Sequence, residues 1–274
     1  MTRVSIGMPV YNSRPAYFAL QLEALLGQEW GDFELIVSDN GSNAESRALY
    51  EAAARRDRRI RYLRHDENRG AVFNFNFALA EARGEYFMWA ADDDLYDRRF
   101  LARTVPLLDA HPHAVIASAN MRFIDGAGAE LRKAEFSPLT RRRFAPLRLQ
   151  AMLARHAYMD IYALHRRAAL ERTRKHRPMF GGDYALVFEM LLQGTIERAD
   201  EELFASRVHH TATAEYVSWQ LVGDGGAQVS SQGLLRQLAR EFGTAILRSD
   251  RSLPMKALSA AGAAAILLQR GKKW

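Results

Sequence analysis

"NRGAVFNFNFALAEARGEYFMWAADDD", Asn68 to Asp94, is the stretch on which the fold turns. Apolar residues at helical spacing run from about Ala71 to Arg83, and Gly84 closes that segment. Glu85 to Ala90 then read as a short buried strand that ends on three consecutive aspartates. A helix that hands the chain back to a short apolar strand is the second half of a βαβ unit. Three like charges at the end of a buried strand raise one another's pKa values unless a positive charge sits among them.

Working outward, the same alternation recurs. Val4 to Pro9 is an apolar run, followed by a helical pattern from about Tyr17 to Gln28. "FELIVS" (Phe33 to Ser38) is a second strand ended by the turn-forming "DNGSN". A helix over about Ala44 to Asp57 leads to a third strand, Ile60 to Arg64. Four strands alternating with three helices predict a mostly parallel, Rossmann-like sheet flanked by helices on both faces. Ligands of such sheets bind at the C-terminal ends of the strands. Those ends carry Pro9, Val10, Tyr11 and Asn12, then Asp39 to Ser42, then Asn68, Arg69 and Gly70, then Asp92, Asp93 and Asp94.

Beyond the aspartates, Asp97 is a well-placed cap for a helix to about Ala110. "AVIASAN" (Ala114 to Asn120) and Arg122 to Asp125 predict two further strands before a "DGAG" turn. Helical patterns follow near Leu147 to His156 and Arg167 to Arg174, and again after Gly181-Gly182-Asp183. Thr195 to His210 predicts a strand or hairpin. The expected organisation is one domain of two halves, a ligand-binding half over residues 1–100 and a second half over 101–215, with a helical C-terminal extension over 216–274.

The 274 residues are 48% hydrophobic and 26% charged, enough to bury a sizeable core. There is no cysteine, which excludes disulfides and thiolate metal sites and suits a reducing cytoplasm. The opening "MTRVSIGMPVYN" reads as a strand rather than an apolar leader, and no apolar run reaches the ~18 residues a bilayer span needs. The expected location is cytoplasmic. The net charge of +6 is uneven: Thr140 to Arg177 holds 11 Lys and Arg against Asp160 and Glu171. That local +9 predicts an anionic partner, with nucleic acid, an anionic membrane face and a phosphorylated substrate all open on charge alone.

The chemistry of the strand ends narrows the choice. Carboxylate oxygens without Cys or clustered His suit Mg²⁺ or Mn²⁺, which commonly bridges protein carboxylates to substrate phosphates. Asp39, at a strand end before a glycine turn, can accept hydrogen bonds from a nucleoside, although Asp-Asn-Gly is also an ordinary Asx turn. Asp183 stands before a helix and is an exposed, rigidly mounted carboxylate or a cap.

"VSIGMPVYNSRPAY", "FELIVSDNGSN", the stretch from Asn68 to Asp94, "GGDYALVFEML" and "RVHHTAT" occur in the order seen in inverting family 2 glycosyltransferases, which have the GT-A fold. The resemblance spans roughly Val4 to Thr213. It implies that Pro9, Tyr11, Asn12, Asp39, Arg69 and Gly70 line the nucleotide pocket. The family's acidic motif usually reads Asp-x-Asp-Asp, so the sequence departs from it at Ala91. The resemblance places the metal ligand on Asp93, supported by Asp92 toward the donor and by Asp94. Asp183 matches the catalytic base, and Arg207 and His209 match a segment that approaches the diphosphate or metal.

The resemblance thus implies a metal-dependent, inverting hexosyltransferase type of enzyme. Such an enzyme moves a sugar from a nucleotide-sugar donor to a glycan or lipid-linked acceptor in cell-surface polysaccharide synthesis. A sugar nucleotidyltransferase is disfavoured, because "VYNSRPAY" lacks a Gly-rich signature loop. A non-catalytic donor-binding or nucleic-acid-binding protein is disfavoured too. The acidic triplet and Asp183 are both retained, and the basic segment carries no interleaved aromatics. The tail "PMKALSAAGAAAILLQRGKKW" predicts an apolar helix of about a dozen residues. It packs on the core or in a homodimer, or else lies peripherally on the anionic inner face of the membrane.

Overall fold

The computed structural model describes residues 2–154, 156–179, 181–208 and 231–271. Three strands open the chain, β1 (Val4–Val10), β2 (Phe33–Asp39) and β3 (Ile60–Arg64), joined by α1 (Pro15–Leu26) and α2 (Ala44–Arg56). α1 begins two residues before its expected start because Pro15 occupies the first helical turn, where a missing N–H costs nothing. The decisive stretch forms α3 (Ala71–Ala80) and β4 (Tyr86–Trp89) as read. β4 shows why it is a strand: Tyr86 and Met88 enter one core, Phe87 and Trp89 the other.

The second half is mixed. It comprises β5 (Leu95–Tyr96), α4 (Phe100–Ala110), β6 (Ala114–Ile124), β7 (Glu130–Lys133), α5 (Ala145–Leu149), β8 (Leu164–Arg166), α6 (Arg167–Glu171), α7 (Gly182–Gln193) and β9 (Thr195–Arg207). The strands expected separately at 114–120 and 122–125 are one strand, β6. It runs parallel to β9, and the pairing shifts register near Asn120. The chain ends in α8 (Ser231–Arg248) and α9 (Leu253–Gly271), the latter longer than the dozen residues expected.

The sheet order is β3-β2-β1-β4-β8-β6-β9-β5, with β7 paired to β6. β1, β2, β3 and β4 are mutually parallel, whereas β8 pairs antiparallel with both β4 and β6. Because β1 lies between β2 and β4, the chain reverses its winding there, and sheets of this kind form their ligand crevice at such a point, here the C-terminal ends of β1 and β4. β5 pairs with the far end of β9, Leu95 opposite Ala205, so the acidic triplet is carried onto β9 rather than left in open loop.

The basic segment folds differently from its charge pattern. The helix expected over 147–156 is cut to α5, followed by a 3-10 turn over Gln150–Leu153. The Arg148 guanidinium is buried and donates to the carbonyls of Leu191, Leu192, Arg142 and Arg143. Burial, with Arg251 nearby, lowers its pKa to about 10. Arg174 bridges Glu189 of α7 and Glu241 of α8, and Arg166 and Arg167 donate to main-chain carbonyls. Much of the local +9 is therefore structural, while Arg141, Arg142 and Arg143 stay exposed.

Candidate active site

The ends of β1 and β2 are tied into one frame. Asn12 sits at a φ of 50°, the left-handed region Asn tolerates better than most residues. Its N–H donates to Ser42 Oγ at 3.0 Å, and its Oδ1 accepts the Asn43 N–H at 2.9 Å. Pro9 is half-buried, pairing with Ser38 across the strands, while Tyr11 and Asn12 are exposed beyond them. Asn40 does the joining: it donates to Asn68 Oδ1 at 2.7 Å and to the Gly70 carbonyl at 3.2 Å, and accepts the Arg69 N–H at 3.0 Å. Gly41 must be glycine, since its φ is +77° and a Cβ would lie 2.6 Å from the Glu67 main chain. The Arg69 guanidinium, on an exposed residue, stacks over Phe73 at 3.7 Å.

Asp39 has 0% exposed side chain. Its carboxylate accepts from the Ser42 N–H at 2.8 Å, from the Tyr62 hydroxyl at 2.7 Å and from Arg64 at 2.7 Å. Burial alone would push its pKa up, but those hydrogen bonds outweigh it and hold the group below the ordinary carboxylate value. Asp39 therefore organises the β2 end from within, and it is Arg64 and Arg69 that lie outward of it.

The three aspartates separate in role. Asp92 accepts a hydrogen bond from the Ser13 hydroxyl, which in turn accepts from Tyr50 at 2.6 Å. Asp94 is buried against β9, where its Oδ1 accepts the Arg207 N–H at 2.8 Å. Burial first, and the adjacent Asp93 second, push its pKa well above the carboxylate range. Asp94, expected to support a cation at the crevice, is thus turned inward toward β9. Asp93 keeps intermediate exposure. Arg207 does not reach outward either: its guanidinium donates to the carbonyls of Asp93, Asp125 and Gly126 at 2.8 to 3.0 Å and lies over the Tyr17 ring. His209, expected beside it, falls outside the described residues.

Among the described residues no group of three or more His, Asp or Glu forms a ready cation cage. The donor set at the strand end is hard carboxylate oxygen. That suits a cation taking one or two protein ligands and the rest from a diphosphate and water, the usual Mg²⁺ arrangement.

Asp183 lies in the first turn of α7, after Gly181 in the left-handed region. A Cβ on Gly182 would come within 2.9 Å of the Arg177 carbonyl, so the turn closes tightly in front of it. The Asp183 side chain is 38% exposed, but the protein packed around its carboxylate limits its hydration. That burial raises its pKa to about 6. Its Oδ1 is 3.5 Å from His176 Nδ1. His176 is neutral: burial, and then the nearby His165, lower its pKa to about 3. Asn76 of α3 brackets the His176 backbone with two hydrogen bonds, at 2.9 and 3.1 Å. The His176 ring packs edge-on against Trp89 of β4 at 4.6 Å.

Tyr162 connects the two acidic centres. Burial raises its hydroxyl pKa well above its ordinary value, and the charges of Asp94, Asp183 and Asp93 raise it further. Asp93 and Asp94 of the triplet and Asp183, 89 residues beyond Asp94 in sequence, thus lie near one side chain. Sequence reading passed over Ser13, Tyr162 and His176 and gave Asn40 no role of its own. Asn40 and Ser13 stood inside quoted turn segments, but nothing local to Tyr162 or His176 signals their partners.

Comparison with known proteins agrees with this fold. The family described as Glycosyl transferase family 2 matches residues 5–174. Among curated relatives, an uncharacterized protein of Sinorhizobium fredii, y4gI, is 28% identical over 79% of this chain and 22% of its own length. The uncharacterized Mycobacterium bovis protein Mb1547 is 35% identical over 49% of this chain and 38% of its own. The chain thus spans well under half the length of these relatives. Among solved structures, residues 1–349 of S. aureus TarS in complex with UDP-GlcNAc share the fold with a TM-score of 0.70 at 18% identity, over 97% of this chain and 73% of that one. A mannosyltransferase of Pyrobaculum calidifontis, PcManGT, in complex with GDP-Man and Mn²⁺, gives a TM-score of 0.59 at 18% identity, over 98% and 75%. The chain belongs to glycosyl transferase family 2.

Proposed function

We propose that the protein is a nucleotide-sugar-dependent, inverting glycosyltransferase, and that Asp183 is its base. The arrangement that supports this reading is that Asp183 and two aspartates of the triplet, Asp93 and Asp94, lie near one phenol, Tyr162. A leaving group held at the triplet and an acceptor hydroxyl at Asp183 then lie on opposite sides of one sugar. Asp183 takes the proton of the acceptor hydroxyl as that oxygen bonds to the anomeric carbon. The bond from that carbon to the diphosphate oxygen breaks, and the diphosphate leaves with the electron pair. A base with pKa about 6 is matched to neutral pH: mostly ionised, yet basic enough to hold a proton in the transition state.

The nucleotide rests on the frame of Tyr11, Asn12, Asn40 and Arg69, with Asp39 holding that frame from beneath. Asp93, with Asp92 beside it, would hold a Mg²⁺ or Mn²⁺ ion, which neutralises charge on the departing diphosphate when bound. Solved structures of the same fold contain UDP-GlcNAc, or GDP-Man with Mn²⁺, which supports a nucleotide-sugar donor and a divalent cation here. The acceptor is a glycan or lipid-linked glycan of the kind assembled into cell-surface polysaccharide.

Release of diphosphate from a panel of UDP-, GDP- and dTDP-sugars, with Mn²⁺ and with EDTA, tests the proposal. Asp93→Ala loses the Mn²⁺-dependent thermal stabilisation by nucleotide that the wild type has. Stabilisation by a DNA oligonucleotide alone, with no nucleotide diphosphate effect, sinks the reading.

A further inference from the structure

α9 is apolar on both of its sides. Ser259, Ala263 and Ile266 are buried on its inner side, where the helix packs on α5 and α8. On the other side Leu253, Ala257, Leu258, Ala261, Ala265 and Leu268 are all exposed. At 100° per residue these six fall within less than half of the helix circumference, opposite the buried three. Leu253 is 82% exposed and Leu268 71%. A continuous apolar strip on a helix of 19 residues is larger than scattered surface leucines and marks an interaction face.

The surroundings of the strip are basic. α9 contains no Asp or Glu, and Leu247, 74% exposed, and the exposed Arg248 precede it. Arg251 in the turn before α9 donates to the Leu192 carbonyl, which also accepts from Arg148. Arg148 in turn holds the carbonyls of Arg142 and Arg143, so the exposed Arg142, Arg143 and Phe144 lie beside this turn. Asp250 is the one acid within it. Among the described residues no helix is long and apolar enough to cross a membrane.

From this strip and its basic flank we infer that α9, with the 141–144 loop, is an interfacial surface for an anionic lipid bilayer. The leucines enter the boundary between head groups and acyl chains, while Arg142, Arg143 and Arg248 face phosphate. A second copy is the weaker occupant. A twofold contact through this face would bring its arginines toward their own counterparts, whereas an anionic bilayer supplies the opposite charge. The inference is independent of the transfer chemistry.

Flotation of the purified full chain with vesicles of phosphatidylcholine alone, and of equal parts phosphatidylcholine and phosphatidylglycerol, tests it. The wild type floats with the mixed vesicles, remains behind with phosphatidylcholine, and is released by high salt. Leu253→Ser with Leu268→Ser, or Arg142→Glu with Arg143→Glu, lowers binding by about tenfold or more while the thermal melt is kept. Asp183→Asn floats like the wild type whether or not it transfers sugar, so the two readings fail separately. Binding that ignores lipid charge overturns the inference. So does a dimer, seen by light scattering, that the leucine variant dissolves, which would assign the face to a second copy.

Discussion

The two sides of the crevice are built on opposite principles. On the side proposed to hold the nucleotide, Asp39 is fully buried and accepts from a backbone N–H, a phenol and a guanidinium, and its pKa is held down. On the side proposed to receive the acceptor, Asp183 has a neutral imidazole at 3.5 Å, and its pKa is pushed up to about 6. A carboxylate saturated with donors fixes a shape, whereas one that is poorly solvated and sparsely paired is ready to take a proton. Stability and the proposed reactivity thereby fall on different elements, the end of β2 and the start of α7.

The sharpest way to break the contrast is Asp183→Asn. Diphosphate release coupled to transfer falls by at least about a hundredfold, while stabilisation by nucleotide diphosphate is unchanged. The same change reports on stability. The folded pKa near 6 exceeds the ordinary 3.8, so between about pH 4 and 6 the folded protein holds a proton that the unfolded chain has released. Wild-type stability therefore falls as pH rises through that window. Asn carries no such cost, so the variant melts higher than the wild type at pH 8 and equally at pH 4. A lower melting temperature at pH 8 with near-normal turnover removes Asp183 as the base.

Asp39→Ala should do the reverse. It leaves the buried Ser42 N–H and the Tyr62 hydroxyl without an acceptor, at a cost of about 2 kcal/mol in chemical denaturation. Because the folded pKa of Asp39 is depressed, its contribution is present above its unfolded pKa and is lost as pH falls through the folded one. The destabilisation thus shrinks in acid. A loss of nucleotide affinity with no loss of stability would mean that Asp39 meets the ligand directly.

His176→Phe keeps the ring packing on Trp89 and Phe75 but removes the Nδ1 that faces Asp183. Turnover falls about tenfold, the scale of one hydrogen bond, with donor KM unchanged and the apparent pKa of the rate profile shifted. An unchanged pH profile would make His176 merely a packing residue.

This division also explains what could be read in advance. Strands buried on both faces show as continuous apolar runs, so β1, β2 and β4 and the polar residues at their ends were legible in order. His176 and Tyr162 were not, because they meet Asp183 and the triplet only through tertiary packing. The Thr140 to Arg177 charge pattern misled in the other direction. Arg148 and Arg174 look like a solvated face in one dimension, but Arg148 is buried and Arg174 half-buried against carbonyls and carboxylates supplied by α7 and α8. A single β9 replaces the expected strand-or-hairpin alternative because β6 pairs alongside it almost throughout.

The smallest effect belongs to Asn43, which caps α2 and also steadies the frame proposed to hold the nucleotide. Its Oδ1 accepts the Ser46 N–H at 2.9 Å, and its own N–H donates to Asn12. Asn43→Ala costs about 1 kcal/mol through the lost cap, whereas Asn43→Gly costs only a few tenths. Both substitutions keep the main-chain N–H that holds Asn12. If the frame depends on that backbone contact alone, nucleotide affinity is the same in both variants while stability differs. An affinity that follows stability instead would show that the start of α2 and the nucleotide side of the crevice yield together. The rigidity assigned to that side would then reside in the helix as much as in Asp39.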